Sequence, residues 1–207
     1  MRATQAPPRH LPVRWGLVIA SVAVIAAIAW LRGHAPSFDD KLAPFVLPGA
    51  IGERVEARNF AVRAKRLKLA QAYRTPGPGF DSAPVEARAD GLWLSVLVDV
   101  EPTQEPGYLS AWLRAADGRT FVAASGERPR VGNLNFANVQ LATGLVGQGA
   151  YFFDVPADAL VDARLLFFWG LSKPGDMDHL VEIDTGLDRR ALQALRAQAQ
   201  PVIDLVP

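Results

Sequence analysis

The chain contains no cysteine. That absence removes disulfides, thiolate nucleophiles, iron–sulfur ligation and every cysteine-bearing zinc site, and it leaves the core to be held by packing alone. A disulfide-free exported domain fits a bacterial envelope better than a eukaryotic cell surface. Histidine is almost as scarce: the chain has only His10, His34 and His179. The first two flank an apolar stretch, so His179 alone can belong to a folded site. No Gly-x-Ser-x-Gly surrounds any serine, and Ser95 and Ser110 fall in predicted strands, so a serine nucleophile would depend on His179 as its base. The glycines from Gly144 to Gly149 precede a strand rather than a helix and so lack the helix N-terminus of a phosphate loop. A total of 21 acidic side chains guarantees pairs by chance, so their number carries no sign of a glycosidase. Internal repeats and low-complexity tracts are absent too. These absences argue against an enzyme, and no cofactor is implied.

Long apolar runs are lacking as well, with one exception. Residues 15–31, WGLVIASVAVIAAIAWL, carry no charge and no helix breaker beyond Gly16. Such a segment lies in hydrocarbon without an unpaired backbone group, and at about 1.5 Å per residue it spans roughly 25 Å, near the lower limit for a bilayer core. Trp15 and Trp30 mark its two ends, where indole rings favour the headgroup layer. Arg2, Arg9 and Arg14 precede it without an acid, whereas Asp39 and Asp40 follow soon after Arg32. The positive-inside bias therefore predicts a cytoplasmic N-terminus over 1–14, a single-pass anchor over 15–31 and an extracytoplasmic remainder. The competing reading is a cleavable signal peptide, since Ala27-Ile28-Ala29 supplies an A-x-A match, and cleavage after Ala29 would make the protein secreted. The 22 basic and 21 acidic side chains nearly cancel, but all the charges before Gly33 are arginines, so the exported part is mildly acidic. No global basic field points to nucleic acid.

Residues 32–51 contain Pro36, Pro44 and Pro48 without sustained periodicity and read as a tether, unless the patch Leu42, Phe45, Val46 and Leu47 docks on the domain. From residue 52 to 184 the pattern is of short strands. Phe60, Val62 and Ala64 form one apolar set and Leu67 and Leu69 another, so Lys65 and Arg66 both face outward and a bulge is predicted between them. The segment Thr75-Pro76-Gly77-Pro78-Gly79 reads as a loop. Asp90-Gly91 opens the clearest strand, Leu92 to Val100, with Leu92, Leu94, Val96, Val98 and Val100 on one face, and this strand is predicted to be central. Ala116-Asp117-Gly118-Arg119 marks a hairpin in which Asp-Gly supplies positive φ angles. Ser125 to Ala142 is polar and long for a loop, so part of it is expected to pair as a strand. Gly149 to Val155, Ala163 to Gly170 and His179 to Ile183 complete the set, and Leu165 to Trp169 reads as a strand buried on both sides. Strands of this length and spacing indicate an all-β antiparallel sandwich. In residues 185–207, Thr185 is positioned to cap a short helix whose apolar face is Leu187, Ala191, Leu192, Leu195 and Ala199, ended by Pro201.

Gly144 to Leu160 resembles a recurring segment of small immunoglobulin-like domains on bacterial, mainly actinobacterial, exported proteins: Gly, a spacer, Gly, an aromatic residue, Phe-Asp/Glu-Val-Pro, then Leu. Gly91-Leu92-Trp93 and Leu113 to Phe121 are similar to earlier strands of the same domains. Those domains are related in fold to a secreted mycobacterial immunoprotective antigen, and most have no assigned function. The resemblance covers residues 52–184 and implies an immunoglobulin-like fold but no catalytic residue, because its motifs are hydrophobic and turn positions. Most such domains follow a lipoprotein cysteine, which this chain lacks.

Two groups remain as candidate sites. Asp176, Asp178 and His179 place two carboxylates and an imidazole within four residues, which suits a divalent cation, although a solvated turn explains them equally well. Arg63, Lys65, Arg66 and Lys68 belong to a dense basic cluster with Arg54, Arg58 and Arg74; if the strand lies on a sheet edge, its outward cations discourage aggregation and meet an acidic partner or anionic headgroups. The alternative is a solvated strand face. Trp93 and Trp112 read as packed residues rather than a sugar platform. The sequence thus points to a membrane-anchored binding or scaffold protein of an envelope assembly, acting on a protein partner. Its alternative is an accessory protein that captures a small molecule or metal with the loops Arg128 to Asn138 and Asp176 to His179.

Overall fold

The computed structural model describes residues 15–33, 42–77, 82–124 and 129–205. Expectations placed on Arg2, Arg9, Arg14, His10, His34, residues 34–41 of the tether, Pro78, Gly79 and Arg128 lie outside those residues. The chain divides into two compact units, Met1–Lys41 and Leu42–Pro207. The described part of the first is one helix, α1 (Trp15–Gly33), with Arg32 in its last turn and apolar side chains around its whole circumference.

The second unit is a β-sandwich with one short helix. Its strands are β1 (Phe45–Ala50), β2 (Arg54–Glu56), β3 (Phe60–Thr75), β4 (Val85–Pro102), β5 (Leu109–Arg114), β6 (Thr120–Val122), β7 (Gly147–Val155), β8 (Arg164–Trp169), β9 (His179–Asp184) and β10 (Gln200–Asp204), with α2 (Arg189–Ala197) before the last. One sheet runs β1-β9-β8-β5-β6; the other runs β10-β3-β4-β7, with β2 paired to the beginning of β3. The pairs are antiparallel except β1 with β9 and β10 with β3, which are parallel.

Strand alternation builds the core. Val62, Ala64, Leu67 and Leu69 of β3, Leu94, Val96, Val98 and Val100 of β4, and Tyr151, Phe153 and Val155 of β7 meet Leu109, Ala111 and Leu113 of β5 and Leu165, Phe167, Val181 and Ile183 of β8 and β9. Tyr151 spans the two sheets by donating its hydroxyl to the Leu109 carbonyl at 2.6 Å. The outward phase of β8 is also covered, since Leu166 and Phe168 pack with Leu180 under Trp112. Phe136, on a 3-10 turn, lies against β7 where Gly149 would place a Cβ only 2.4 Å from its ring. The Gly-spacer-Gly pattern therefore makes room for that ring.

The bulge in β3 is where alternation places it: Ala64 faces Val98 and Arg66 faces Leu97, leaving Lys65 extra. β4 is central, between β3 and β7, but it starts at Val85 rather than Leu92. At Asp90-Gly91 the strand bends instead of beginning. The ladder slips between Ala70–Trp93 and Ala72–Arg88, and the Asp154 carboxylate accepts from the Asp90 and Gly91 amides at 2.9 and 3.1 Å.

Five local expectations are corrected. The stretch read as a tether holds β1, because Phe45 to Ala50 finds a strand partner in β9 that is far away in sequence. The C-terminal tail likewise holds β10, in which Pro201 is tolerated because the strand is at an edge. In the 116–119 hairpin only Gly118 has a positive φ, of 89°, and Ala115 bonds to Arg119, so the turn is a longer one with a single left-handed residue. Asp188, not Thr185, caps α2, accepting from the Ala191 amide at 2.7 Å, while the Thr185 hydroxyl donates to the Ala163 carbonyl. Residues 129–142 form no strand, only isolated bridges Asn135–Ala150 and Gly107–Leu141 and two 3-10 turns.

Candidate functional site

The residues first considered for a metal are already engaged. Asp178 accepts from the Arg58 guanidinium at 2.9 Å and from the His179 amide at 2.8 Å, and His179 Nδ1 accepts from the Arg58 amide at 2.9 Å. Asp176 lies 3.9 Å from the Lys173 ammonium. The Phe45 ring meets His179 edge-on. Asp178 and His179 thus fasten the start of β9 to the turn before β3, and among the described residues no three His, Asp or Glu gather as metal ligands. The serines are committed too. Ser95 is bonded to the Tyr73 hydroxyl at 2.8 Å, and the Ser110 hydroxyl donates to the Gly170 carbonyl at 2.5 Å.

The basic cluster is divided by its partners. Arg54 pairs with Glu56 and Glu101, Arg58 with Asp178, Lys65 with Asp99 at 3.1 Å, and Arg74 with Asp204 at 3.7 Å. The two Arg54 pairs, Glu101 first, raise the guanidinium above its usual value. Arg63, Arg66 and Lys68 have no ion-pair partner among the described residues. They stand on β3, which has β4 along one side and is only partly covered along the other. β2 covers residues 61–63 and β10 covers 70–74. Between those two partners the side of β3 at 66–69 is left without a neighbouring strand.

Around that gap two clefts open, sharing Arg66, Lys68 and Ile203. The first, of about 180 Å³, runs along Leu67 and Leu69 to Leu195, Gln198 and Gln200. The second, of about 110 Å³, lies on the outer face of the sheet. Its floor follows from the register. Arg66, Leu97 and Ala150 form one row across β3, β4 and β7, and Lys68, Ser95 and Phe152 form the next. Tyr73 closes one end, its ring edge-on to Phe152 at 5.2 Å and also against Trp93, and Leu134, Ile203 and Leu205 supply the walls. Burial raises the Tyr73 pKa, an effect opposed by the hydrogen bond to Ser95.

Alternation already marks Arg66 and Lys68 as outward residues, but the walls of the cleft are not readable in the same way. Ile203 and Leu205 lie in and beside a strand that was expected to be a tail. Leu134 comes from a 3-10 turn with no periodic signal.

No protein-family profile matches the sequence, and no curated protein matches it. Among solved structures, the chain is similar to the yjhA protein from Bacillus subtilis at 17% identity and a TM-score of 0.47, covering 66% of this chain and 99% of that one. It is similar to a secreted protein from Mycobacterium tuberculosis, MPT63, at 13% identity and a TM-score of 0.43, covering 68% and 98%. An uncharacterised β-sandwich protein from Clostridium difficile aligns at 10% identity and a TM-score of 0.42, over 72% and 99%. The description of this chain as a sandwich stands on its own strand pairing.

Proposed function

We propose that the chain is a membrane-anchored binding protein of the cell envelope, with residues 15–31 crossing the membrane once and an immunoglobulin-like sandwich outside that holds a partner protein without catalysis. The observation that carries this reading is α1: one unbroken helix of 19 residues whose only charge is Arg32 at its end. Its length and composition are those of a membrane span, and the arginines before it favour a cytoplasmic N-terminus. The basic outer face at Arg63, Lys65, Arg66 and Lys68 supplies a surface for an acidic partner. The engagement of Asp178, His179, Ser95 and Ser110 in structural bonds favours binding over chemistry.

The reading is tested by expressing the full chain in bacterial cells and following it through fractionation and mass measurement. The expected result is an intact 22.4 kDa protein that resists alkaline extraction from membranes and is digested only when protease is added from outside. A soluble chain that begins at Trp30 would overturn the anchor.

A second reading, a small-molecule accessory protein, is favoured by the cation-rimmed cleft on the outer face. Its natural ligand would be smaller than a protein and partly apolar.

A further inference from the structure

We infer that the cleft between β3, β7 and β10 binds a single-chain anionic amphiphile, its alkyl chain on Leu97, Phe152 and Leu205 and its charged head between Arg66 and Lys68. This inference rests on the small-molecule reading and names its ligand class.

The floor decides what fits inside. Among the described residues lining the cleft, the only polar side chains besides Arg66 and Lys68 are Tyr73 and Ser95, which are bonded to each other at 2.8 Å, and no buried side-chain polar atom among the described residues lacks a partner. A sugar or a peptide backbone placed there would give up its water without finding donors or acceptors in return. An alkyl chain gives up nothing and gains by leaving water.

The rim decides what the other end must be. Arg66 and Lys68 are exposed, lie two residues apart on the same strand face and so stand roughly 7 Å from each other. Neither is paired with an acid among the described residues, in contrast to neighbouring Lys65 and Arg54. One carboxylate or phosphate head lies within reach of both long side chains, with charge-assisted hydrogen bonds to each. An apolar floor with a doubly cationic rim is therefore complementary to a molecule that is apolar at one end and anionic at the other. The bulge at Lys65 is the element that makes this possible. It shifts the phase of β3 so that Arg66 and Lys68 share the row positions of Leu97 and Ser95.

The test uses the full-length chain in nanodiscs of zwitterionic lipid, with three photoreactive probes: a long-chain fatty acid, the matching alkyl phosphate and the matching neutral alcohol. Labelled peptides are mapped by mass spectrometry. The expected result is that the acid, the phosphate or both label peptides containing Leu97, Leu134 or Leu205, with the stronger of the two identifying the head. The neutral alcohol labels them at least about tenfold less, the size of one lost charge-assisted contact. The paired substitution Arg66→Ser and Lys68→Ser, on exposed positions, lowers the anionic labelling by a similar factor, and Leu97→Asn lowers it through the floor. Equal labelling by the alcohol, labelling unchanged in the paired variant, or label confined to residues 15–33 would each overturn the inference. Competition by an acidic peptide at the same residues would overturn it in favour of a protein partner. Fractionation of the same samples reports separately on the anchor, so loss of the amphiphile site and loss of the membrane reading are distinguishable.

Discussion

At the scale of single residues, one missing side chain and two buried phenols constrain the sandwich. Gly91 has no room for a Cβ: that atom would lie 2.3 Å from the Val155 carbonyl oxygen, which is backbone and cannot turn away. Gly91→Ala is expected to destabilise the sandwich by about 3 kcal/mol, measured by denaturant unfolding. Tyr73 and Tyr151 are buried, and burial raises the pKa of each. A phenol whose folded pKa is raised contributes stability in full below the unfolded value of about 10 and loses it as the pH rises through the folded value. Stability is therefore expected to fall above about pH 10. Tyr73→Phe lowers neutral-pH stability by about 1–2 kcal/mol through loss of the Ser95 bond and makes the alkaline fall shallower; unfolding curves at neutral and alkaline pH check both. The pairing of Tyr73 with Ser95 could not be read from sequence, because it depends on a register slip of the ladder between Ala70 and Ala72 that no period encodes.

At the scale of elements, what was legible is what repeats. β4 shows its core face in every second residue, and the same period in β3 exposes its own interruption at Lys65. β1 and β10 escape that logic. Each is short, each contains a proline, and each pairs in parallel with a strand distant in sequence, so the information that makes it a strand resides in its partner. The cap of α2 shows a smaller version of the problem: Thr185 and Asp188 are both good caps, and Thr185 is drawn away by the Ala163 carbonyl. Asp188→Ala is expected to cost about 1 kcal/mol, read as a lower unfolding midpoint. Ending the chain after Ala199 removes β10 and the cover that Ile203 and Leu205 give to Tyr73. Amide hydrogen exchange should then quicken at residues 70–74 while β8 stays protected; uniform quickening in both sheets would show that β10 supports the whole sandwich.

At the scale of the whole molecule, an apolar helix is followed in sequence by a sandwich that carries one asymmetric face. The apolar helix was readable from composition alone, since a long run without charge is a matter of length and residue type rather than of contacts. Half of the candidate site was readable for a similar reason: Arg66 and Lys68 follow from the strand period. Its apolar half was not, because it is assembled from β4, β7, β10 and a 3-10 turn. The proposed function makes the outer face of this sheet the binding face. It is tested most directly by placing a photoreactive amino acid, in full-length chain in intact membranes, at Leu134 beside the cleft or at Val122 on the other sheet, both exposed positions. The account predicts a discrete adduct from position 134, lost with Arg66→Ser and Lys68→Ser, and none from position 122. Adducts of equal yield from both positions, or none from position 134, would contradict it.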